Sequence, residues 1–456
     1  MDFLKCLPDF RRQKSTRYDL AEILACLVIA YISGCTSTLQ AQAWCLEHMD
    51  LLQSIGLELA NGMASYFTFQ RVLRLLDTEM LFLEFTNWIN ETICCYGVQL
   101  AIDGKGLRGG TDRIHGCRTP YMLNIIEVST KIIIASIPIN SKTNEITAIP
   151  QALEMISLAA NTVTIDAIGT YMDIIQAIDG NEGKYVLQVK KNNPEAYESL
   201  KRYFEQLDEK QKQKEQEEKE KQEAEKKHQT PKASTLDADT IEELNHLEST
   251  GWVCECNKER MEYRRVDVIR SFDYSHGGGN AGETILGFDS VLGKHAYCFR
   301  AIARMTTVRI PIEYDKDNNN VTPSLQELLS HGSATKPKPT IGNSLDDDIQ
   351  CIGLITNDKL TAENIMKIKR DHWSSEAAHH ILDVTFREDL SNAREAKFNA
   401  SLLRKLAYNL VKLSVANGYV SHAERSTPCD MIKLTNSKML KKLFFGQFRM
   451  LHIESK

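Results

Sequence analysis

Apolar residues crowd the stretch from Leu20 to Ile32, and a second amphipathic pattern runs through Phe67, Val72, Leu75 and Leu76, so residues 1 to about 93 read as helical. Ser65 stands where a cap would accept a backbone N–H, opening a helix with Arg71 and Arg74 on one flank. That layout suits a helix-turn-helix entering a DNA groove, and it equally suits an amphipathic helix with solvated arginines. From Val98 the pattern changes to β-branched runs at Val98–Ile102, Met122–Val128, Ile132–Ile139 and Thr162–Ile165, each bounded by turn residues. Helical patterns at Ala148–Leu158 and Tyr171–Ile178 and a short apolar run at Tyr185–Val189 complete a mixed α/β stretch.

Residues 208–228 are almost entirely Glu, Lys and Gln, with opposite charges three or four apart and no apolar stripe, which predicts an exposed helical or disordered insertion. Beyond it, Arg260–Ile269 and Tyr297–Arg309 read as Arg-bearing strands, fit either for phosphate or for a half-buried sheet with solvated arginines. Residues 314–348 are polar and turn-rich, the mark of a second surface insertion. An apolar strand returns at Ile349–Ile355, and helical patterning resumes from Thr361 to about Val415.

Composition adds little to this picture. At 456 residues two or three domains are expected, and 42% hydrophobic with 25% charged residues excludes the collagenous, disordered and disulfide-scaffold classes. Glu22 and Ser33 confine the apolar run between them to far fewer than the roughly 20 residues a membrane span needs, and the N-terminus shows no export signal. The twelve cysteines are scattered, and neither Cys94-Cys95 nor Cys254-x-Cys256 has a partner pair at zinc-site spacing, so reduced thiols in the cytoplasm are expected. A net charge of −6 means that any contact with nucleic acid must come from local basic patches.

Candidate chemistry lies in the acids. Asp103 follows an apolar run and precedes Gly104, Lys105 and Arg108, and Asp166 ends a second β-branched run. Two strand-end carboxylates that converge could hold Mg²⁺, which binds through one or two carboxylates and keeps positions for water and phosphate. Strand-end aspartates also cap turns, so spacing alone leaves both roles open. A third acid from a helix would complete a phosphoryl-transfer site, and Glu376 is the candidate, with Asp371, Asp383, Glu388 and Asp389 as rivals. His379 and His380 are adjacent and so face different sides of a helix, which argues against a zinc pair.

The runs IDGKGLRG (Ile102–Gly109), KTNEITAIPQALE (Lys142–Glu154) and TIDAIG (Thr164–Gly169) together resemble the ISAs-type, or H-repeat-associated, insertion-sequence transposases of the DDE superfamily. The resemblance extends to Pro8–Leu24, Asn61–Asp77, Tyr185–Pro194 and the HWSSE and LDVTFRED runs within His372–Asp389. It implies a ribonuclease H-like mixed sheet with a mainly β insertion between the second and third acids, and an acidic triad of Asp103, Asp166 and Glu376. It further implies two Mg²⁺ ions, with Mn²⁺ as a substitute, nicking at transposon ends and attack of the freed 3′-hydroxyl on target DNA. Around Glu376 the sequence departs from the family: Ser375 replaces an apolar residue, and Ala-Ala-His-His-Ile stands where an Asn and a Leu-His-Trp run are usual.

The expected organisation is a helical DNA-binding domain at 1–93, a first part of the catalytic core at 94–206, an insertion at 207–348, the rest of the core at 349–415 and a basic tail at 416–456. Double-stranded DNA is the expected partner, both terminal repeats and target, with Arg71, Arg74, Lys105, Arg108, Arg264, Arg265, Lys441 and Lys442 as phosphate contacts; the family analogy suggests a homodimer. Two other functions fit the same residues: a DNA-binding descendant that no longer cuts, and a ribonuclease H-like nuclease without strand transfer.

Overall fold

A computed structural model describes residues 2–12, 16–110, 119–139, 145–165, 171–191, 194–227, 234–256, 260–270, 299–314, 322, 324–325, 349–390, 396–420, 427–445 and 450–454. Asp166 and nearly all of the polar stretch 314–348 fall outside them. The chain forms two compact units, one of residues 1–164, 180–183 and 371–456, the other of 165–179 and 184–370.

The first unit opens with α1 (Asp2–Cys6), α2 (Leu20–Ile32), α3 (Thr38–Glu47), α4 (Met49–Ile55), α5 (Tyr66–Leu75) and α6 (Thr78–Thr92). Asp19 caps α2 by accepting the Glu22 N–H, and apart from Glu22 itself every residue of α2 is buried. A helix apolar all round needs cover on every side. Much of it comes from α13 (Lys397–Ala416), whose buried Asn399 also donates to the carbonyls of Leu73 and Leu76 and so satisfies the C-terminal end of α5.

Four strands follow in this unit, β1 (Ile93–Tyr96), β2 (Gln99–Gly106), β3 (Tyr121–Glu127) and β4 (Ile133–Ile139), then α7 (Glu145–Glu154) and β5 (Thr162–Ile165). Their order is β4-β3-β2-β5, with β2, β3 and β4 antiparallel. β2 runs three residues beyond Asp103, which therefore sits inside the strand rather than at its end. Gly104–Gly106 look like a turn in the sequence but pair with Leu123, Met122 and Tyr121. A Cβ at Gly106 would come within 3.3 Å of the Thr119 and Tyr121 side chains, which would have to give by a few tenths of an ångström to admit it. On β4, Asn409 of α13 accepts the Ile133 N–H and donates to its carbonyl, occupying groups that an edge strand would leave open.

The second unit holds α8 (Met172–Gly180), β6 (Lys184–Val189), α9 (Pro194–Lys226), α10 (Ala238–Asn245), β7 (Leu247–Ser249), β8 (Val253–Cys256), β9 (Arg260–Arg270), β10 (Ala301–Pro311), β11 (Ile349–Thr356) and α11 (Ala362–Asp371). Its strands run β6-β11-β10-β9-β7, with β8 also on β9, and each of these neighbours pairs antiparallel. Val266, Val268, Ala303, Met305 and Leu354 pack with Ile365 and Met366 of α11 into one apolar cluster. The charged stretch from 208 is the continuation of α9, buried up to Leu207 and largely exposed after it.

Two further helices, α12 (Ser374–Val384) before α13 and α14 (Thr427–Leu434) after it, belong to the first unit, with α15 (Ser437–Phe445) and β12 (Leu451–Glu454) closing the chain. The range 416–456, expected as a tail, thus holds two helices and a strand that pairs in parallel with β1. Leu440, Leu443 and Phe444 supply the buried stripe that a charge count overlooks. No described helix is long and apolar enough to cross a membrane.

Candidate active site

Side chains two apart on a strand share a face, and register partners on neighbouring strands share it too. Asp103 and Lys105 therefore project from one side of β2, with Asn124 beside Asp103 on β3 and Ser136 beside Asn124 on β4. Ser136, Asn124 and Asp103 form a polar row across three strands: Asn124 and Ser136 are fully buried, and Ser136 Oγ donates to Asn124 Oδ1 at 2.7 Å.

Helix α12 covers this row. His379 places Nδ1 3.4 Å from Asp103 Oδ2, with Nε2 2.9 Å from Asn124 Nδ2. One turn on, Asp383 meets Lys105 Nζ at 2.5 Å. Four helical residues rise about 6 Å and two strand residues about 6.6 Å, so helix and strand keep step. The N-terminal end of the helix is fixed by His372, whose Nδ1 lies 2.9 Å from Thr164 Oγ1 on β5.

Glu376 lies on the same helix and is exposed. At about 100° per residue it stands some 60° from His379 and 20° from Asp383, on the stripe that faces β2. Ser375, one residue earlier, is buried and donates to the His372 carbonyl at 2.9 Å. Asp103 keeps 28% of its side-chain surface open. Among the described residues no group of three His, Cys, Asp or Glu side chains is placed to hold a metal ion, and Asp166, the remaining acid of the expected set, lies outside them. Asp103 and Glu376 are both carboxylates with open surface, the donor class that Mg²⁺ takes, so the described donors fit such a cation.

Behind the acids sits a charged cluster that spacing did not reveal. Glu388, fully buried, accepts from Lys105 Nζ at 2.5 Å and from Ser401 Oγ at 2.5 Å, with Lys405 Nζ 3.4 Å away. Burial alone would raise the Glu388 pKa, but Lys405 and Lys105 outweigh it and hold the carboxyl well below its ordinary range. Burial pushes Lys405 down to about 8 against the pull of Glu388. These residues lock β2, α12 and α13 together.

The cluster changes the reading of Lys105. Its side chain is 6% exposed and held by two carboxylates, so it offers no charge to a duplex. Arg264 is likewise buried, between Glu255 and Glu262, and Arg265 is held by Asp267 at 2.8 Å. An Arg-rich strand looks alike in sequence whether its arginines meet phosphate or carboxylate. Arg71, Arg74, Lys441 and Lys442 are exposed, Lys442 lying 3.5 Å over the Tyr419 ring, and Arg108 is 85% exposed with Asp389 at 3.7 Å. His379, Asn124 and Glu388 are the residues that sequence reasoning missed as partners; the period-two step from Asp103 to Lys105 and the four-residue step from His379 to Asp383 were the available signal.

The geometry defines a mixed α/β protein with an acid on an interior strand, roofed by a helix that sets a histidine beside the acid and an aspartate on the lysine two residues along the strand. Residues 97–410 match the family described as Transposase DDE domain, and residues 1–89 match the one described as DDE_Tnp_1-associated. The chain belongs to the DDE transposase family.

It is 29% identical over 208 residues to "Putative transposase YncI" of Escherichia coli O157:H7, covering 45% of this chain and 52% of that one. To "H repeat-associated putative transposase YhhI" of Escherichia coli K12 it is 28% identical over 194 residues, covering 42% and 50%. To "Uncharacterized protein in dhlA 3'region" of Xanthobacter autotrophicus it is 31% identical over 206 residues, covering 44% and 69%. The chain spans about half the length of the first two. A piggyBac transposase in a synaptic complex with hairpin DNA shows a TM-score of 0.38 at 11% identity, over 96% of this chain and 77% of that one, too slight a likeness to carry fold or function across.

Proposed function

We propose that this protein is a DDE transposase that nicks DNA at transposon ends and joins the freed 3′-hydroxyl to target DNA. In this reading Asp103, Asp166 and Glu376 hold the cations on a ribonuclease H-like core, into which the mainly β unit is inserted between the second and third acids. The observation that carries it is Asp103 itself: a partly open carboxylate on an interior strand, met by His379 and lying under the helix that bears Glu376. A divalent cation held by these carboxylates, Mg²⁺ or Mn²⁺, would supply Lewis-acid polarisation of a phosphate oxygen and make water more acidic.

The chain's own residues do the holding. His379 fixes one oxygen of Asp103, and Lys105, Asp383 and Glu388 keep β2 and α12 in step. Of the cations expected to meet the phosphates of terminal repeats and target, Arg71, Arg74, Arg108, Lys441 and Lys442 are exposed. The protein acts in the cytoplasm, as a homodimer when both ends are cut in one complex.

Asp103→Asn and Glu376→Gln are each expected to cut nicking of an end-bearing duplex in Mg²⁺ by about 10³-fold, the equivalent of several kcal/mol of lost charge stabilisation. Binding to the same duplex should persist. Unchanged nicking by Asp103→Asn would sink the proposal, and nicks without joined product would leave a nuclease lacking strand transfer. A second reading, a DNA-binding protein that no longer cuts, draws on Ser375: four residues before His379, its buried hydroxyl is spent on the His372 carbonyl. End-specific binding with no nicking by the unaltered chain would favour it.

A further inference from the structure

Asn124 can face His379 in two ways, and the choice decides where the imidazole proton sits. With its amide nitrogen toward Nε2, as the structure has it, Asn124 can only donate, so Nε2 accepts and the ring proton is on Nδ1, pointing at Asp103 Oδ2. With the amide reversed, Nε2 would carry the proton and Nδ1 would turn a lone pair on the carboxylate. Asp103 selects the first arrangement, because a carboxylate oxygen 3.4 Å from Nδ1 accepts and cannot donate, which places the ring proton on Nδ1; Nε2 then accepts from Asn124 Nδ2, and Asn124 Oδ1 accepts from the Ser136 hydroxyl at 2.7 Å. Asn124 and Ser136 are fully buried, where polar groups left unpaired are costly.

We propose that His379 is the positioning residue for Asp103. Through a relay from Ser136 to Asn124 to His379, set by the register of three strands, the ring is fixed as its Nδ1–H tautomer and anchors Oδ2. Oδ1 is then turned outward as the oxygen that meets a divalent cation. The inference rests on the proposed cation site and adds to it a residue that orients a ligand without touching the ion. Partners of this kind typically alter metal affinity by about 10–100-fold.

The test is calorimetric titration with Mn²⁺ alone, on the full chain, with thermal melting as the check on folding. His379→Leu should weaken Mn²⁺ binding by about 10-fold or more. His379→Asn, whose amide nitrogen falls where Nδ1 stands, should restore most of it. His379→Gln, whose nitrogen falls where Nε2 stands, should behave like the Leu variant. A purely structural histidine would not separate Asn from Gln. Wild-type affinity in His379→Leu overturns the proposal, as does equal loss in the Asn and Gln variants. Asp103→Asn in the same titration separates the two claims: if it binds Mn²⁺ as tightly as wild type, the cation site falls and the inference with it. If it loses binding while His379→Leu does not, only the positioning role falls. Should the Leu variant fail to fold, ¹⁵N NMR of the unaltered protein still decides, with an Nδ1–H ring supporting the relay and an Nε2–H ring refuting it.

Discussion

Glu388 is a carboxylate whose removal does more harm than its presence does good. Two lysines converge on it in a region closed to water, and taking away one member of such a set leaves a buried charge uncompensated, at a cost of about 3–5 kcal/mol. Glu388→Gln should therefore lower stability by about that much in denaturant titration. The folded pKa lies below the ordinary 4.5, so the unfolded chain takes up the proton first as acid is added. The stabilising contribution is complete above pH 4.5 and is lost as pH falls below it; the Gln variant should lack that part of the acid slope. Both Asp383 and Glu388 stood among the rivals for the third acid in the sequence. Their actual partner, Lys105, lies 278 and 283 positions away, and no local pattern encodes a contact of that range.

Among the elements, α5 illustrates how far periodicity reaches. Ser65 accepts the Thr68 N–H at the cap, as the spacing predicts, and Arg71 and Arg74 are exposed; of the expected apolar positions Val72 and Leu76 are buried but Phe67 and Leu75 are exposed, the buried face being completed instead by Phe69 and Leu73. Arg71→Ala and Arg74→Ala should each reduce the salt dependence of DNA binding by about one unit of slope while changing stability by less than about 0.5 kcal/mol. A salt slope that does not move would exclude α5 from the interface. In α9 the same logic divides one helix in two. Leu200→Ala should cost about 2–5 kcal/mol, whereas Lys219→Ala should fall within about 0.5 kcal/mol, both read by denaturant midpoint. Strands were legible as β-branched runs, but the length of β2 was not. Its last residues are glycines and a lysine, whose strand character comes from pairing with β3 rather than from their own preference.

At the scale of the whole chain, composition put the insertion at 207–348, whereas the second compact unit spans 165–179 and 184–370. A shift in composition marks where the chain meets water. It does not mark β6, β11 and the apolar face of α11, which belong with β10 through pairing and packing. The first unit is correspondingly built from separate stretches, 1–164, 180–183 and 371–456, and this has a consequence in time. At about 5–20 residues per second, a ribosome spends about 10–40 s making the segment between them. Throughout that interval β2 has emerged with Asp103 and Lys105, but the helix that roofs them does not yet exist. Stalled chains ending at residue 370 should show rapid amide exchange in β2, and chains released beyond 416 should show it shielded. Synthesis order thus acts as a safety catch: under the proposed function, a chain still tethered to its own message carries the first acid but no assembled site.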